Sequence, residues 1–255
     1  MVLVTNFISY LLIAGVVSAL KFEGLVCMAM AVPLALPVTF ISTMTTYFVL
    51  KGRARSPSLP ILIVSLSCLV FAASAFEAST KNTPELHRVI TTIRVKAPIR
   101  KVWQKVIEFP EIETQPDGIL RLGFAYPISA RIEGGGVGAI RFCNFNTGAF
   151  VEPITVWDEP HKLAFDVESQ PPIMVETGLA GTFQTAHLTY LKSKRGEFIL
   201  HEDDGVTIIE GTTYYTHDIA PDRYWQIYSD AIIHQIHLRV LDHIKQISEA
   251  DSVAD

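Results

Sequence analysis

The sequence is poor in charge for its length. Only 18% of its 255 residues are Asp, Glu, Lys or Arg, whereas 49% are hydrophobic. Such a composition is too apolar for a disordered chain and low in charge for a fully soluble protein. The length suits one large domain, or one ordinary domain with an appendage.

Charge is scarcest in the first 80 residues. Their only charged side chains are Lys21, Glu23, Lys51, Arg53, Arg55 and Glu77, a net charge of +2. Residues 81–255 hold the remaining 17 basic and 24 acidic side chains, a net charge of −7. A domain of that charge without a basic cluster repels a phosphate backbone, so we expect no nucleic-acid partner.

Cysteine is also rare. Cys27 and Cys68 lie in apolar runs and Cys143 lies in the more polar part of the chain. Three separate cysteines provide neither a disulfide framework nor a cysteine-based zinc site. His234 and His237 share a helix face but lack two nearby further ligands, so we expect no metal and no cofactor.

Three hydrophobic runs occupy the first part of the chain, at about residues 3–20, 25–50 and 59–76. A bilayer core needs roughly 20 apolar residues in a helix. The sequence therefore predicts an all-α transmembrane segment of about three helices within residues 1–78, that is, a multi-pass membrane protein. The first run has no basic residue before it, as expected of a truncated or misassigned start.

The loop between the second and third runs contains the basic cluster at residues 51–55. The positive-inside rule places this loop in the cytoplasm, which leaves the following domain outside the cytoplasm. Lys81, Arg88, Arg94 and Lys96 favour the opposite orientation, although folded domains count weakly in this rule. We expect a soluble domain at residues 79–255, with its core at 88–249.

The soluble part reads as strand, helix, several antiparallel strands and one long helix. Hydrophobic and polar side chains alternate over residues 86–95, which predicts a strand. A helix is predicted at 99–108 and a final helix from Pro221 to about Glu249. Further strands are predicted at 128–133, 137–146, 149–157, 162–168, 186–192, 196–202 and 206–217. The glycines at 134–138 are expected to form a turn, and residues 169–185 either a lid or a surface excursion.

Residues 88–249 resemble the START-like, helix-grip superfamily, which in bacteria is called the polyketide cyclase/dehydrase and lipid transport (SRPBCC) family. The resemblance rests on Ile-Arg-Val-Lys-Ala-Pro-Ile-Arg-Lys-Val-Trp at 93–103, Phe109-Pro110, Trp-Asp-Glu-Pro-His-Lys-Leu-Ala-Phe at 157–165, and Gly-Thr-Thr-Tyr-Tyr at 211–215. It implies an α+β fold in which a curved antiparallel sheet grips a long C-terminal helix. Family members bind lipids, hormones and other apolar molecules between sheet and helix, and a minority are cyclases or hydrolases.

The final helix has an apolar stripe that turns polar towards its N-terminus. Ile233, Ile236, Val240, Ile244 and Ile247 form the apolar part. On the same face lie Gln226, Ser229, Asp230 and His237. Polar groups facing a sheet are costly unless they have partners, so they either border a ligand cavity or satisfy one another.

The strands contribute three further candidate ligand-binding residues, Arg141, Asn144 and Glu152. Which of them point inward is ambiguous, because Phe142 and Phe150 compete with Cys143 and Val151 for the interior. An inward Arg141 needs a carboxylate, for which Glu152 on the next strand is a candidate, whereas an outward pair would be solvated.

These observations leave three functions open. The first is a membrane-tethered domain that binds a small hydrophobic or amphipathic, lipid-like molecule. The second is a cyclase- or hydratase-type enzyme that uses Asp230 or His237 as acid or base. The third is a non-catalytic structural or regulatory membrane protein with a filled core, which a cavity no larger than about 300 Å³ would favour. Protein partners are not predicted.

Overall fold

The computed structural model describes residues 2–50, 72, 76, 79, 84–183 and 191–253. The chain forms two compact units. The first unit comprises residues 1–83, 176–185 and 219–224, and the second comprises residues 84–175, 186–218 and 225–255.

The elements of the described residues are as follows in chain order. They are α1 (Val2–Ala19), α2 (Leu25–Leu50), β1 (His87–Val95), α3 (Ile99–Ile107), a 3₁₀ turn (Gly118–Leu122), β2 (Pro127–Glu133), β3 (Ile140–Phe145), β4 (Gly148–Asp158), β5 (Lys162–Asp166), β6 (Glu176–Gly178), β7 (Gly181–Phe183), β8 (Lys192–Asp203), β9 (Val206–Thr216) and α4 (Asp222–Val253).

Helices α1 and α2 belong to the first unit and follow two of the predicted hydrophobic runs. Among the described residues no single helix is both long and apolar enough to cross a bilayer. One bent pair, Leu25–Pro37 with Thr39–Thr45, meets the requirement by length and composition, with a bend of 41°. The prolines at 33 and 37 remove helical hydrogen bonds and account for this bend. The predicted third helix at 59–76 lies almost entirely outside the described residues.

Strands β6 and β7 pair as a short antiparallel hairpin that also belongs to the first unit. The backbone N–H of Leu179 donates to the Ser18 hydroxyl at 3.0 Å. Gly178 permits this approach, because a Cβ at that position would lie 2.9 Å from the same oxygen. The segment predicted as a lid or surface excursion is therefore divided between the two units after residue 175.

The second unit is built on a seven-stranded antiparallel sheet with the order β1-β9-β8-β5-β4-β3-β2. The first and second strands of the chain thus form the two edges. Register shifts between Ile154 and Val156 and between Ser193 and Arg195 interrupt the pairing. Such bulges bend a strand and increase its twist, and the sheet is curved.

The core lies between the sheet and the helices. In β1 the residues Val89, Thr91 and Val95 are buried and their neighbours are exposed, as the alternation predicts. Helix α3 buries Val102, Trp103 and Val106, with the Trp103 ring edge-on to that of Trp157 at 5.8 Å. Helix α4 contributes Val240, Leu241 and Ile244 to the same core.

The predicted order of strands and helices in the second unit agrees with the structure, although several bounds differ by a few residues and the β6–β7 hairpin was not predicted. The strand predicted at 196–202 is part of a longer β8, which begins at Lys192. Most of the strand predicted at 186–192 lies outside the described residues. The glycine-rich segment is a turn between β2 and β3, and Gly134, Gly136 and Gly138 have positive φ angles there.

Candidate ligand-binding cavity

A cavity of about 110 Å³ lies between the sheet and α4. Four phenylalanine rings from four strands line it, those of Phe145, Phe150, Phe165 and Phe198. The helix contributes Ile233, Ile236, His237, Val240 and Leu241. The wall is therefore mainly apolar, with few polar groups to orient a bound molecule.

Arg141 and Glu152 form a buried ion pair at this cavity. They stand opposite each other on β3 and β4, and one guanidinium nitrogen donates to a carboxylate oxygen of Glu152. Arg141 Nε also donates to the Ile107 carbonyl at 3.0 Å. The side chains of Arg141 and Glu152 are only 2% and 7% exposed, so the inward alternative left open by the sequence is the correct one.

Two aromatic rings flank the charged group. The guanidinium carbon of Arg141 lies 5.6 Å and 5.8 Å from the ring centroids of Phe165 and Phe198. At such distances the negative faces of aromatic rings attract a cation. The guanidinium therefore has favourable partners on several sides despite its removal from water.

Burial also changes the acidity of the neighbouring groups. It raises the pKa of the Glu152 carboxyl, although the adjacent Arg141 guanidinium acts in the opposite direction. Burial and the Glu152 charge together raise the pKa of the Cys143 thiol to about 12. Cys143 is therefore a neutral, apolar wall residue and not a thiolate nucleophile.

His237 lines the cavity within a hydrogen-bonded chain. Its Nε2 pairs with the Thr213 hydroxyl at 2.7 Å, and its Nδ1 pairs with the Thr91 hydroxyl at 3.0 Å. The same Thr91 hydroxyl contacts His234 Nδ1 at 2.7 Å. Burial, with a smaller effect of His234, lowers the pKa of His237 to about 4. The imidazole is thus neutral at pH 7, and both of its nitrogens are engaged by threonine hydroxyls.

The other polar residues predicted on the helix do not line the cavity. Asp230 Oδ1 accepts a hydrogen bond of 2.6 Å from the hydroxyl of Tyr215, whose side chain is fully buried. Ser229 is buried and Gln226 is half-buried. The cavity begins only at Ile233, further along the axis than the N-terminal turns that we expected to border it. Asp230 and His237 are therefore not brought together around one space.

Asn144 is not among the residues that line the cavity either. Side chains alternate along a strand, and Arg141, Cys143 and Phe145 of β3 line the cavity. Asn144 therefore points to the other face, where its Nδ2 donates to the Ser129 hydroxyl at 3.0 Å. Of the seven predicted binding residues, the structure brings Arg141, Glu152 and His237 together at the cavity.

Sequence reasoning did not assign the four phenylalanines or the two threonines to this site, although it considered Phe150 as one candidate for the interior. The phenylalanines share strand parity with the inward residues, for example Phe145 with Arg141. This alternation identifies the inward side chains only when it is known that one particular side chain of the strand points inward. The contact of Thr91 with two histidines of a distant helix has no local signature in the sequence.

The sheet, the gripped helix and the cavity between them define the second unit as a helix-grip domain. No protein-family model matches the chain, and no curated protein matches it. Solved structures of similar fold include the Zhui aromatase/cyclase from Streptomyces sp. R1128, at 16% identity over 65% of this chain and 94% of that one, with a TM-score of 0.42.

Two other solved structures show a similarity of the same extent. A norcoclaurine synthase from Thalictrum flavum is 14% identical over 68% of this chain and 99% of that one, with a TM-score of 0.40. A protein from Nitrosospira multiformis is 16% identical over 65% of this chain and 99% of that one, with a TM-score of 0.42. These similarities concern the fold and bear on neither ligand nor reaction.

Proposed function

We propose that the helix-grip domain binds a small, mainly apolar molecule between its sheet and α4. The observation that carries this proposal is the cavity beside the Arg141–Glu152 pair. A void of about 110 Å³ costs an apolar core on the order of 2–3 kcal/mol, because its lining loses contacts. A ligand that fills the void recovers those contacts.

The cavity also limits the ligand. An engineered cavity of about 150 Å³ in another protein holds benzene, so this smaller space holds at most one small ring without widening. The polar groups at the wall include the Glu152 carboxylate, the guanidinium groups of Arg141 and Arg195, and hydroxyls such as that of Thr213. Carboxylates accept, guanidinium groups donate and hydroxyls do both, so the wall suits a mainly apolar ligand that carries one polar group. A larger, lipid-like ligand stays a prediction and requires the cavity to widen.

A specific observation supports a second candidate, the non-catalytic protein with a filled core. The cavity volume lies below the roughly 300 Å³ typical of ligand pockets, and His237 and Asp230 have partners within the protein. In that case the residual void is a packing defect. The acid or base role of Asp230 and His237 is not proposed further, because no geometry supports it.

Native mass spectrometry of the full chain, released from detergent, distinguishes the two candidates. We expect a bound small molecule in the unsubstituted protein and its loss in Ile236→Phe, which fills the cavity from α4. Val137→Phe, an exposed position in the turn after β2, is the matched control. Ligand-free spectra together with no stabilisation of the chain by benzene or phenol would favour the filled core.

We also propose that the first unit attaches the chain to a membrane. Helix α1 exposes large apolar side chains along much of its length, including Phe7, Leu12 and Ile13 at 55–67% exposure. Apolar surface of this extent favours contact with lipid or with another apolar surface. Alkaline extraction of membranes should leave the chain in the pellet, and release into the supernatant would contradict the proposal.

The orientation proposed from the basic cluster places the helix-grip domain outside the cytoplasm. Protease added to sealed right-side-out vesicles should then digest this domain, and digestion confined to inside-out vesicles would reverse the orientation.

A further inference from the structure

Three potential metal ligands meet in the first unit, away from the helix-grip cavity. Glu23 lies in the turn between α1 and α2, Cys27 in the first turn of α2, and Glu176 at the start of β6. Their ligand atoms, two carboxylate oxygens and one sulfur, all lie within 4.8 Å of one another. The residues come from two segments about 150 positions apart in the sequence, which the hairpin brings together.

Glu176 is the most informative member of this cluster. Its side chain has no accessible surface, so both carboxylate oxygens are removed from water. Oε2 accepts a hydrogen bond of 3.0 Å from the backbone N–H of Gly24. Oε1 is buried and has no hydrogen-bond partner among the described residues. A buried carboxylate oxygen without a donor is costly, and a bound cation would stabilise it.

The backbone leaves space for this carboxylate. A Cβ at Gly24 would lie 2.7 Å from Glu176 Cβ and 2.9 Å from its carboxyl carbon, so a larger residue at position 24 would displace the side chain. Gly24 precedes the first residue of α2, and its N–H is one of the donors that a helix N-terminus leaves unpaired. Capping of α2 explains the position of Oε2, and a hydrogen bond between the Cys27 thiol and the Glu176 carboxyl explains the proximity of Cys27. Neither contact provides a donor for Oε1.

We propose that Glu23, Cys27 and Glu176 bind one divalent transition-metal ion, for which Zn²⁺ is the best match. Zinc accepts carboxylate oxygen and thiolate sulfur at about 2.0–2.3 Å, and three protein ligands with one water complete its tetrahedral coordination. The thiolate disfavours Mg²⁺ and Ca²⁺, which prefer oxygen ligands. On binding, the Cys27 thiol releases its proton to solvent and the sulfur donates its electron pair to the metal.

Cobalt provides a direct probe of the site because a thiolate bound to Co²⁺ gives a ligand-to-metal charge-transfer absorption. The full chain in detergent is first stripped with a chelator and then titrated with Co²⁺. We expect one Co²⁺ per chain, the charge-transfer absorption, and its loss when Zn²⁺ displaces cobalt. Zinc should also raise the thermal midpoint of the unsubstituted chain.

Variants assign the ligands. Cys27→Ser should abolish the charge-transfer absorption, whereas Cys143→Ser, a buried cysteine of the second unit, should keep it. Glu176→Gln should weaken zinc binding by roughly tenfold or more. Because Glu176 is fully buried, Glu23→Gln at a half-buried position is tested in parallel. Circular dichroism checks that each variant is folded.

Three results would overturn the proposal. One is absence of cobalt binding by the folded, unsubstituted chain. Another is a charge-transfer absorption that persists in Cys27→Ser or disappears in Cys143→Ser. The third is unchanged zinc affinity in folded Glu23→Gln and Glu176→Gln.

Discussion

Arg141 on β3 and Glu152 on β4 occupy directly opposed positions in the sheet and pair inside a mainly apolar interior. Each depends on the other, because either charge alone would be buried without an opposite charge. All three tryptophans, at positions 103, 157 and 225, lie in the second unit, so tryptophan fluorescence follows the unfolding of that unit.

Breaking this pair should destabilise the second unit strongly. In Glu152→Gln the Arg141 guanidinium keeps its charge but loses the carboxylate, and we expect a loss of about 3–5 kcal/mol in the free energy of unfolding. Urea unfolding followed by tryptophan fluorescence measures it. The double variant Arg141→Met with Glu152→Met should recover much of the loss, and equal stability of the single variant and the unsubstituted chain would contradict the prediction.

His237 should make stability depend on pH. Its pKa is about 4 in the folded chain, against about 6.5 for an unfolded histidine, so the unfolded chain binds the extra proton between these values. The neutral His237 therefore leaves the free energy of unfolding at its full value above about pH 6.5. As the pH falls towards 4, protonation of this histidine in the unfolded chain lowers the free energy of unfolding by up to about 3 kcal/mol.

Urea unfolding at pH 7 and pH 4.5 measures this dependence. The difference in the free energy of unfolding between pH 7 and pH 4.5 should be smaller in His237→Gln. It should stay unchanged in His201→Gln, an exposed position on β8. All three proteins contain the same carboxylates, so an unchanged difference in His237→Gln would show that His237 is not the group responsible.

The hydroxyl of Thr213 should contribute to the position of His237. Thr213→Val keeps the shape of the side chain but removes the partner of His237 Nε2, and we expect a cost of about 1–3 kcal/mol. Thr213→Ser, which keeps the hydroxyl, is the control and should retain most of the stability. Equal losses in both variants would mean that the methyl group matters and the hydrogen bond does not.

Gly196 should be intolerant of a side chain. A Cβ there would lie 2.5 Å from the ring of Phe165, so Gly196→Ala has to displace a wall residue of the cavity. We expect a loss of about 1–3 kcal/mol in urea unfolding. Gly135→Ala has no atom within 4 Å of its added Cβ and should change stability by less than about 0.5 kcal/mol. A neutral Gly196→Ala would show that Phe165 yields without cost.

Much of the helix-grip architecture is encoded locally. The alternation in β1 and the apolar positions of α3 specify one buried face each, because a strand repeats every two residues and a helix every 3.6. The turns between successive strands are short, which requires antiparallel neighbours. The apolar stripe of α4 likewise predicts that this helix packs on the sheet, and Val240 and Ile244 do so.

The candidate cavity was predictable only in part. Glu152 was recognised as the partner of Arg141 because they oppose each other on adjacent strands, yet the direction of the pair remained open. A shift of one residue in a strand reverses every side chain, and the local pattern around Phe142 and Cys143 allowed both directions. The position of the cavity along α4 was predicted too close to the N-terminus of the helix. Helical periodicity specifies which face of a helix is buried, but it does not specify where along the axis the side chains leave a void.

The amino-acid sequence by itself determined the order of the main elements of the helix-grip domain and the faces they bury, since periodicity acts within short stretches of chain. The tertiary structure alone decided that Arg141 points inward, that Thr91 joins His234 and His237, and that Glu176 reaches Gly24 across about 150 residues. Such contacts depend on which distant segments become neighbours, and no local pattern specifies that.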